Sequence, residues 1–218
     1  MRASSGEGFE AVVFDCDGVL VDSERLMARI DQVVFRELGW EATIEEITAR
    51  FLGKAGPEYE REIASVLGPV SANWRAPYEH LYENAMATEL IAIEGVERAL
   101  KEISLPKAVA SNSRRGGVIS SLDRTNLRRF FGSNIVGIDD VPSGKPAPDP
   151  YLEAARMLRV SPTYCAAVED SPTGVVSARA AGMHVFGYAG GLSLASELKA
   201  VGAEVFLSMS ELPQLLRR

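Results

Sequence analysis

A short apolar run, Ala11–Phe14, is followed at once by two aspartates, Asp15 and Asp17, and then by Gly18. Such a run is typical of a buried strand in a parallel sheet. In open α/β sheets the ligand crevice lies just beyond the carboxyl ends of the strands, so both aspartates are candidate functional residues. Two carboxylates this close together repel each other, and a divalent cation is the simplest group that would hold them in place.

The strand pattern then gives way to a helical one across residues 23–90. Apolar residues recur there at helical spacing in four segments, and Gly39, Gly53 and Gly68 follow three of them. Because no strand pattern interrupts this region, the sequence predicts a helical cap domain over residues 23–90, inserted into a core domain formed by residues 1–22 and 91–218. We expect Trp74 and the tyrosines of the insertion to pack in its interior.

Strands and helices alternate from Gly95 onward. Predicted strands cover residues 107–110, 134–138, 164–168, 184–187 and 204–207, with helical patterns between them. Ser171 is predicted to cap a helix that starts with Pro172 and ends at Gly182. Strands that alternate with helices imply a parallel sheet covered on both faces. The predicted fold class is therefore α/β, a Rossmann-like doubly wound parallel sheet with an inserted helical domain.

Composition narrows the possible partners. The chain has 218 residues, 46% of them hydrophobic, which is sufficient for a sizeable core, and its formal net charge is −7. The negative charge argues against binding to nucleic acid or to an anionic membrane. No apolar run is long enough to span a bilayer, and residues 1–10 lack the apolar core of a secretory signal. We expect a cytoplasmic protein that is a monomer or a weak homo-oligomer, with Cys16 and Cys165 as buried free thiols.

Polar residues stand at the ends of four predicted strands or directly after them. They are Asp15 and Asp17, Ser111 and Asn112, Lys145, and Glu169 and Asp170. Since parallel strands all end at the same edge of the sheet, these side chains are expected to converge. Taken singly, Ser111 is read as a helix cap, Lys145 as a surface lysine and the Glu169–Asp170 pair as a helix-start charge. Because these side chains are expected to converge, a shared functional site is favoured over these separate structural roles.

The charge at this edge favours a metal ion. Four carboxylates contribute about −4 when ionised, as reference pKa values of about 4 indicate, and Lys145 contributes +1. A phosphate dianion would be repelled by such a site unless a cation were present. Mg²⁺ fits because it prefers oxygen ligands and often binds carboxylates together with a substrate phosphate. It would draw a phosphate ester to the site and stabilise charge on the transferring group.

These motifs resemble those of the haloacid dehalogenase (HAD) superfamily, and in particular its β-phosphoglucomutase-like members and sugar-phosphate phosphatases. The resemblance covers nearly the whole chain. It is carried by four motifs in order: Asp15-Cys16-Asp17-Gly18-Val19, Val109-Ala110-Ser111-Asn112, Gly144-Lys145-Pro146-Ala147-Pro148-Asp149, and Glu169-Asp170 before Ser171-Pro172-Thr173-Gly174. It implies a Mg²⁺-dependent phosphoric monoester hydrolase that acts on a small phosphorylated metabolite.

The resemblance also implies a role for each residue. Asp15 would be the nucleophile that forms an aspartyl-phosphate, and Asp17 would protonate the leaving alcohol and then activate water. Ser111, Lys145 and the backbone N–H of Asn112 would hold the phosphoryl oxygens. Mg²⁺ would be bound by Asp15, by the backbone carbonyl of Asp17 and by Asp170. Glu169 would be a further ligand or an anchor behind the ligands.

Three features separate the possible activities. The presence of Asp17 favours phosphoryl transfer, because dehalogenase-like members lack it. Mutases of the β-phosphoglucomutase type carry a cap histidine where this chain has Met27, and His80 lies far along the chain, so hydrolysis is favoured over a phosphomutase. A catalytically silent metabolite-binding protein on the same fold remains a further alternative.

The predicted insertion would act as a lid that excludes bulk water and contacts the substrate. Candidate specificity residues are Arg25 and Lys54, the latter in the segment Phe51-Leu52-Gly53-Lys54. His80 and His184 are assigned no role. The sequence does not identify the substrate.

Overall fold

The computed structural model describes residues 8–51, 56–71 and 73–218. Its six strands form one parallel sheet in the order β3-β2-β1-β4-β5-β6. The strands are β1 Ala11–Phe14, β2 Lys107–Ala110, β3 Ile135–Val136, β4 Cys165–Glu169, β5 His184–Tyr188 and β6 Glu204–Phe206. The first strand, β1, therefore lies inside the sheet. Strands β2 and β3 extend the sheet on one side of β1, and β4, β5 and β6 extend it on the other.

Helices connect the strands and cover the sheet. The first four are α1 Ser23–Glu37, α2 Ile44–Phe51, α3 Gly56–Leu67 and α4 Glu79–Thr88. The others are α5 Val96–Glu102, α6 Arg115–Arg124, α7 Asp149–Leu158, α8 Pro172–Ala180, α9 Ala195–Ala200 and α10 Leu212–Leu215. Among the described residues, no helix is both long enough and apolar enough to cross a membrane.

Strand β1 shows why both faces of the sheet are covered. Val12 and Phe14 pack into one buried cluster, which includes residues of α5, α6 and α10. Ala11 and Val13 point to the opposite face, where they join residues of α7, α8 and α9. All four are fully buried, as an apolar run without alternation requires. The predicted doubly wound α/β fold is confirmed.

Four strands, β3 to β6, differ from their predicted bounds, and the differences in β3 and β4 bear on the site. Strand β3 contains only Ile135 and Val136, because the next N–H groups turn to other partners: Gly137 donates to the Asp140 carboxylate and Ile138 donates to the carbonyl of Ser113. Strand β4 extends one residue further than predicted, to Glu169, which pairs with Gly187 of β5. Glu169 is therefore part of the buried sheet.

The helices α1–α4 form a helical insertion between β1 and α5. Phe35, Ile47, Phe51 and Ile63 are buried there in a cluster separate from the two that flank the sheet. The two chain segments that enter and leave the insertion run side by side, because Asp22 donates a backbone hydrogen bond to Ile91 and Val21 bridges to Ala92. An apolar cluster of its own gives the insertion a source of stability independent of the sheet.

Phe35 lies at the centre of this cluster, with its ring 5.3 Å from Trp40 and 6.0 Å from Trp74. Phe35→Ala is expected to lower the free energy of unfolding by about 3–5 kcal/mol, since it leaves a cavity in a packed core. Trp40 and Trp74 are the two tryptophans of the chain, so urea unfolding followed by tryptophan fluorescence reports on the insertion.

Val33→Ala on the same helix is the matched control, because Val33 is 44% exposed. This change is expected to shift the free energy of unfolding by about 0.5 kcal/mol or less. Equal losses in the two variants would show that Phe35 does not anchor the insertion.

Candidate active site

Three neighbouring strands deliver the predicted polar residues to one edge of the sheet. Asp15 follows β1, Ser111 follows β2, and Asp170 follows β4. The backbone N–H of Asp15 still donates to the carbonyl of Val168, and that of Ser111 donates to Val136. These strand-like hydrogen bonds fix the backbone just before the chain leaves the sheet, so the side chains start from rigid positions.

Lys145 lies at the centre of the site. Its Nζ is 2.7 Å from Asp15 Oδ1 and 2.6 Å from Glu169 Oε1, and its side chain is only 4% exposed. Burial disfavours the charged lysine, but the two carboxylates outweigh burial and raise the pKa of Lys145 above its usual value. The three groups therefore form a buried cluster with one cation between two anions.

Glu169 is fully buried and both of its oxygens accept hydrogen bonds. Besides Lys145, Oε1 accepts from the hydroxyl of Tyr151 at 2.6 Å. Oε2 accepts from the hydroxyl of Ser171 at 3.0 Å, and the backbone N–H groups of Asp170 and Ser171 also point to it. Because protein donors occupy both oxygens, Glu169 is arranged to hold Lys145 and the following loop.

Asp15, Glu169 and Asp170 are all buried, and each offers a carboxylate oxygen within 4.8 Å of the other two. Burial raises the pKa of Asp15 to about 8, while attraction to Lys145 lowers it in part. Burial, followed by repulsion from Glu24 and Asp15, raises the pKa of Asp170 well above its usual value. These hard oxygen donors carry more negative charge than Lys145 compensates, which suits a divalent cation.

Gly18 is required by its contact with Asp170. Its φ angle is +74°, and a Cβ atom there would lie 2.0 Å from Asp170 Oδ2. A side chain at position 18 would therefore displace the Asp170 carboxylate. The glycine lets the backbone after Asp17 approach Asp170 closely.

Asp17 is partly exposed and is held by two serines. Ser23 donates to Oδ1 at 2.7 Å, and Ser113 donates to Oδ2 at 2.9 Å. Ser23 is the first residue of α1 and Ser113 follows β2, so the insertion and the core both orient this carboxylate. Asp17 lines the cavity described below, whereas Asp15 lies deeper.

Ser111 and Asn112 lie beside the lysine. Ser111 is buried, and its Oγ accepts from the backbone N–H of Ser113 at 3.0 Å, which leaves its hydroxyl hydrogen free to donate. The side chain of Asn112 binds the backbone of Lys145: Oδ1 accepts from its N–H at 2.7 Å, and Nδ2 donates to its carbonyl at 3.2 Å. Asn112 thus positions the lysine loop through its amide.

A cavity of about 1250 Å³ lies between the helical insertion and the core. Asp17 and Ser113 line it on the core side. Arg25 is not among the lining residues; it is 3.8 Å from Asp22 and largely exposed. Its role in substrate contact stays a prediction. Lys54 lies outside the described residues, as do Leu52 and Gly53.

Several residues of the site were not predicted from the sequence. Tyr151, Ser23 and Ser113 bind the predicted carboxylates, and they come from helix or loop positions with no pattern of their own. Glu24 is the second residue of α1, and burial followed by repulsion from Asp17 raises its pKa to about 7. Its position directly after the aspartate motif was the available signal.

The cysteines match the sequence interpretation. Both are buried and unpaired. Burial, followed by repulsion from Asp17 and Asp15, raises the pKa of the Cys16 thiol well above its usual value. A thiol with a raised pKa is a poor nucleophile, so Cys16 takes no part in the chemistry considered below.

The chain is similar in sequence and in structure to haloacid dehalogenase-like proteins. Residues 12–188 match the family model described as haloacid dehalogenase-like hydrolase. The 6-phosphogluconate phosphatase of Escherichia coli is 35% identical over 181 residues, which cover 81% of each chain. A crystal structure of a conserved haloacid dehalogenase-like protein from Agrobacterium tumefaciens is 33% identical and superimposes with a TM-score of 0.89, covering 96% of this chain and 98% of that one. A haloacid dehalogenase family hydrolase from Deinococcus radiodurans, solved with bound phosphate and sodium, is also 33% identical, with a TM-score of 0.82 and coverage of 95% and 94%.

The hydrogen bond from Tyr151 to Glu169 is expected to contribute to stability. Tyr151→Phe removes the donor and leaves a buried carboxylate oxygen with fewer partners, which should lower the free energy of unfolding by roughly 1–3 kcal/mol. Urea unfolding in EDTA, followed by far-UV circular dichroism, measures this loss without interference from bound metal.

Tyr78→Phe is the control, since Tyr78 is partly exposed and belongs to the helical insertion rather than to the sheet and its helices. If the two phenylalanine variants lose the same stability, the Tyr151 hydroxyl does not support Glu169.

Proposed function

Because residues 12–188 match its family model, the chain belongs to the haloacid dehalogenase-like hydrolases, and we propose that its substrate is a small phosphorylated metabolite, a sugar or sugar-acid phosphate. Its relationship to a named phosphatase makes it a phosphoric monoester hydrolase. The observation that carries the proposal is the buried cluster of Asp15, Lys145, Glu169 and Asp170, which lies beside a cavity large enough for such a substrate.

Asp15 is the proposed nucleophile. One of its oxygens, Oδ1, is held by Lys145, and this contact fixes the carboxylate in one orientation. The Asp15 carboxylate attacks phosphorus, a new oxygen–phosphorus bond forms, and the bond to the substrate alcohol breaks. Water then attacks phosphorus in the aspartyl-phosphate, which regenerates the Asp15 carboxylate and releases inorganic phosphate.

Asp17 is the proposed general acid and base. Its carboxylate lines the cavity, and the hydroxyls of Ser23 and Ser113 restrain both of its oxygens. In the first step Asp17 gives a proton to the departing alkoxide. In the second step it takes a proton from the attacking water, so the protons balance over one turnover.

The phosphoryl oxygens would be held by Ser111, Lys145 and the backbone N–H of Asn112. Ser111, directly after β2, offers its hydroxyl hydrogen, and Lys145, in the loop between β3 and α7, offers its charge. The Asn112 side chain supports this role indirectly, because its two hydrogen bonds hold the backbone of Lys145 in place. Fixed donors of this kind stabilise the charge that develops on the transferring group.

Mg²⁺ would be held by Asp15, by Asp170 and by the backbone carbonyl of Asp17. The close packing of Gly18 against Asp170 supports this set, because it brings the Asp17–Gly18 backbone next to the Asp170 carboxylate. Glu169 would serve as an anchor behind these ligands, since both of its oxygens already accept hydrogen bonds from the protein. When bound, Mg²⁺ supplies positive charge that neutralises the phosphoryl oxygens.

The helical insertion, residues 23–90, would act as a lid over this site. The hydrogen bond between Asp22 and Ile91 holds its two connecting segments together, as expected for a hinge. Because Asp17 binds Ser23 at the start of α1, a movement of the lid would be coupled to the proton-transfer group. Arg25 and Lys54 remain candidate specificity residues of the lid.

Hydrolysis of the phosphate ester is favoured over a mutase reaction, in which the phosphoryl group moves from one position of the substrate to another. Met27, at the position where β-phosphoglucomutase-like enzymes carry a histidine, lines the cavity and offers no proton-transfer group. His80 is exposed on α4 and is not among the residues that line the cavity. The two buried free thiols support a reducing location, and we propose the cytoplasm.

The test of this function is release of inorganic phosphate from a panel of sugar and sugar-acid phosphates, with Mg²⁺ or with EDTA. Asp15→Asn is expected to lower kcat by at least about a thousandfold, because removal of a nucleophile abolishes the covalent route. EDTA is expected to abolish activity in the unmodified protein.

Glu45→Gln is the matched control, since it also removes one carboxylate but lies exposed on α2, away from the cavity. Full activity in Asp15→Asn would refute the proposed nucleophile. Formation of an isomeric sugar phosphate without release of phosphate would show that the protein is a mutase and not a phosphatase. If no ester is turned over, a metabolite-binding protein without catalytic activity would be favoured.

A further inference from the structure

A polar cluster in the helical insertion lines the cavity. It consists of Asp31 on α1, Tyr59 on α3, Tyr82 on α4 and Arg75 in the turn before α4. The tyrosines of the insertion were predicted to be packing residues, and none of these four residues belongs to the proposed catalytic machinery. Their side chains come from three helices and a turn, yet they meet at one place.

Asp31 organises the cluster. It is 5% exposed, and it accepts hydrogen bonds from Tyr82 at 2.5 Å, from Arg75 at 3.1 Å and from Tyr59 at 3.4 Å. Arg75 also donates to the Tyr59 hydroxyl at 3.0 Å. Since a buried carboxylate surrounded by donors is held rigidly, Asp31 fixes one edge of the Arg75 guanidinium.

Arg75 keeps donors for another partner. Its guanidinium carbon lies 4.5 Å from the centre of the Tyr82 ring, and this stacking fixes the plane of the group. Nη2 makes the bonds to Asp31 and Tyr59, whereas Nε is buried and has no hydrogen-bond partner. The side chain is 42% exposed and lines the cavity. Because Asp31 and Tyr82 hold the guanidinium in place, the part of it that is exposed in the cavity is arranged to receive an acceptor.

We propose that Arg75 binds a carboxylate at the end of the substrate remote from the phosphate. This inference rests on the proposed function, and it narrows the substrate to a sugar-acid phosphate or a similar phosphorylated hydroxy acid. A planar carboxylate matches the geometry of a guanidinium and takes its donors in pairs.

The charge of the cavity favours a carboxylate over a second phosphate. Among the described residues that line it, five are acidic and two are arginines. One of these arginines, Arg75, is already paired with Asp31, and the other, Arg124, donates to the carbonyl of Thr88. A remote phosphate dianion would add two negative charges beside this acidic wall, whereas a carboxylate adds one, which would share Arg75 with Asp31.

The experiment compares kcat/KM for three probes: 6-phosphogluconate, glucose 6-phosphate and fructose 1,6-bisphosphate. We expect the unmodified protein to favour 6-phosphogluconate over glucose 6-phosphate by about ten- to hundredfold, mainly through KM, since only the acid carries a remote carboxylate. Arg75→Gln is expected to remove this preference, and Arg75→Lys to retain part of it because the charge remains.

Arg36→Gln is the matched control, because Arg36 is exposed on α1 and is not among the residues that line the cavity. It should leave the preference intact. Equal kcat/KM for the acid and the neutral sugar in the unmodified protein would overturn the proposal. An equal loss on all three probes in the Arg75 variants would assign Arg75 a structural role only. A preference for the bisphosphate that depends on Arg75 would show that Arg75 binds a second phosphate and not a carboxylate.

The failure of the proposed function is distinguishable from the failure of this site. If neither the probes nor p-nitrophenyl phosphate is hydrolysed, the phosphatase proposal fails. Calorimetric titration of the protein with 6-phosphogluconate and with glucose 6-phosphate then decides the carboxylate site alone. Tighter binding of the acid that is lost in Arg75→Gln would support it, and equal binding would contradict it.

Discussion

The ion pairs of Lys145 with Asp15 and Glu169 are the interaction on which the site depends. Three buried carboxylates at one sheet edge repel one another, and burial raises the pKa of two of them, Asp15 and Asp170. Lys145 offsets part of this charge from within 2.7 Å of both of its partners. The surroundings serve to keep the lysine there: Asn112 binds its backbone, and Tyr151 and Ser171 hold Glu169. The remaining negative charge is what makes the site suited to a divalent cation.

The proposed reacting groups and the proposed substrate-binding groups lie in different parts of the molecule. The sheet holds the proposed reacting groups on short, rigid strand ends, where a small displacement would be costly. The helical insertion has its own apolar cluster and contributes most of the cavity wall, including the cluster around Asp31 and Arg75. The two parts meet at Asp17, which accepts hydrogen bonds from a serine of each. Substrate bound by the insertion would therefore be presented to the group proposed to move the proton.

Much of the fold follows from the sequence because its signals are local. The apolar run of β1, the apolar end of β2 and the cap of α8 all depend on neighbouring residues, and the structure has β1 and β2 at their predicted bounds, with Ser171 capping α8. Parallel topology then predicts which strand ends meet, so the convergence of Asp15, Lys145 and Asp170 could be anticipated. The family resemblance is confirmed by the comparisons.

What the sequence could not predict depends on contacts between distant elements. Nothing near Tyr151 in the sequence indicates that its hydroxyl reaches Glu169, and the pairing of the Asn112 side chain with the Lys145 backbone joins two loops 33 residues apart. The Asp31–Arg75 contact spans 44 residues and was hidden in helices that read as ordinary amphipathic segments. The length of strand β3 was overestimated, because the chain leaves the sheet after Val136 through hydrogen bonds to Asp140 and Ser113.

The stereochemical course at phosphorus tests the central claim most directly. The account predicts two successive in-line displacements, first by Asp15 and then by water, and each inverts the configuration. A phosphorothioate monoester made chiral at phosphorus with two oxygen isotopes, hydrolysed in water labelled with the third isotope, should therefore release chiral inorganic thiophosphate with net retention of configuration. Net inversion would show that water attacks the substrate directly, and it would contradict the proposed role of Asp15.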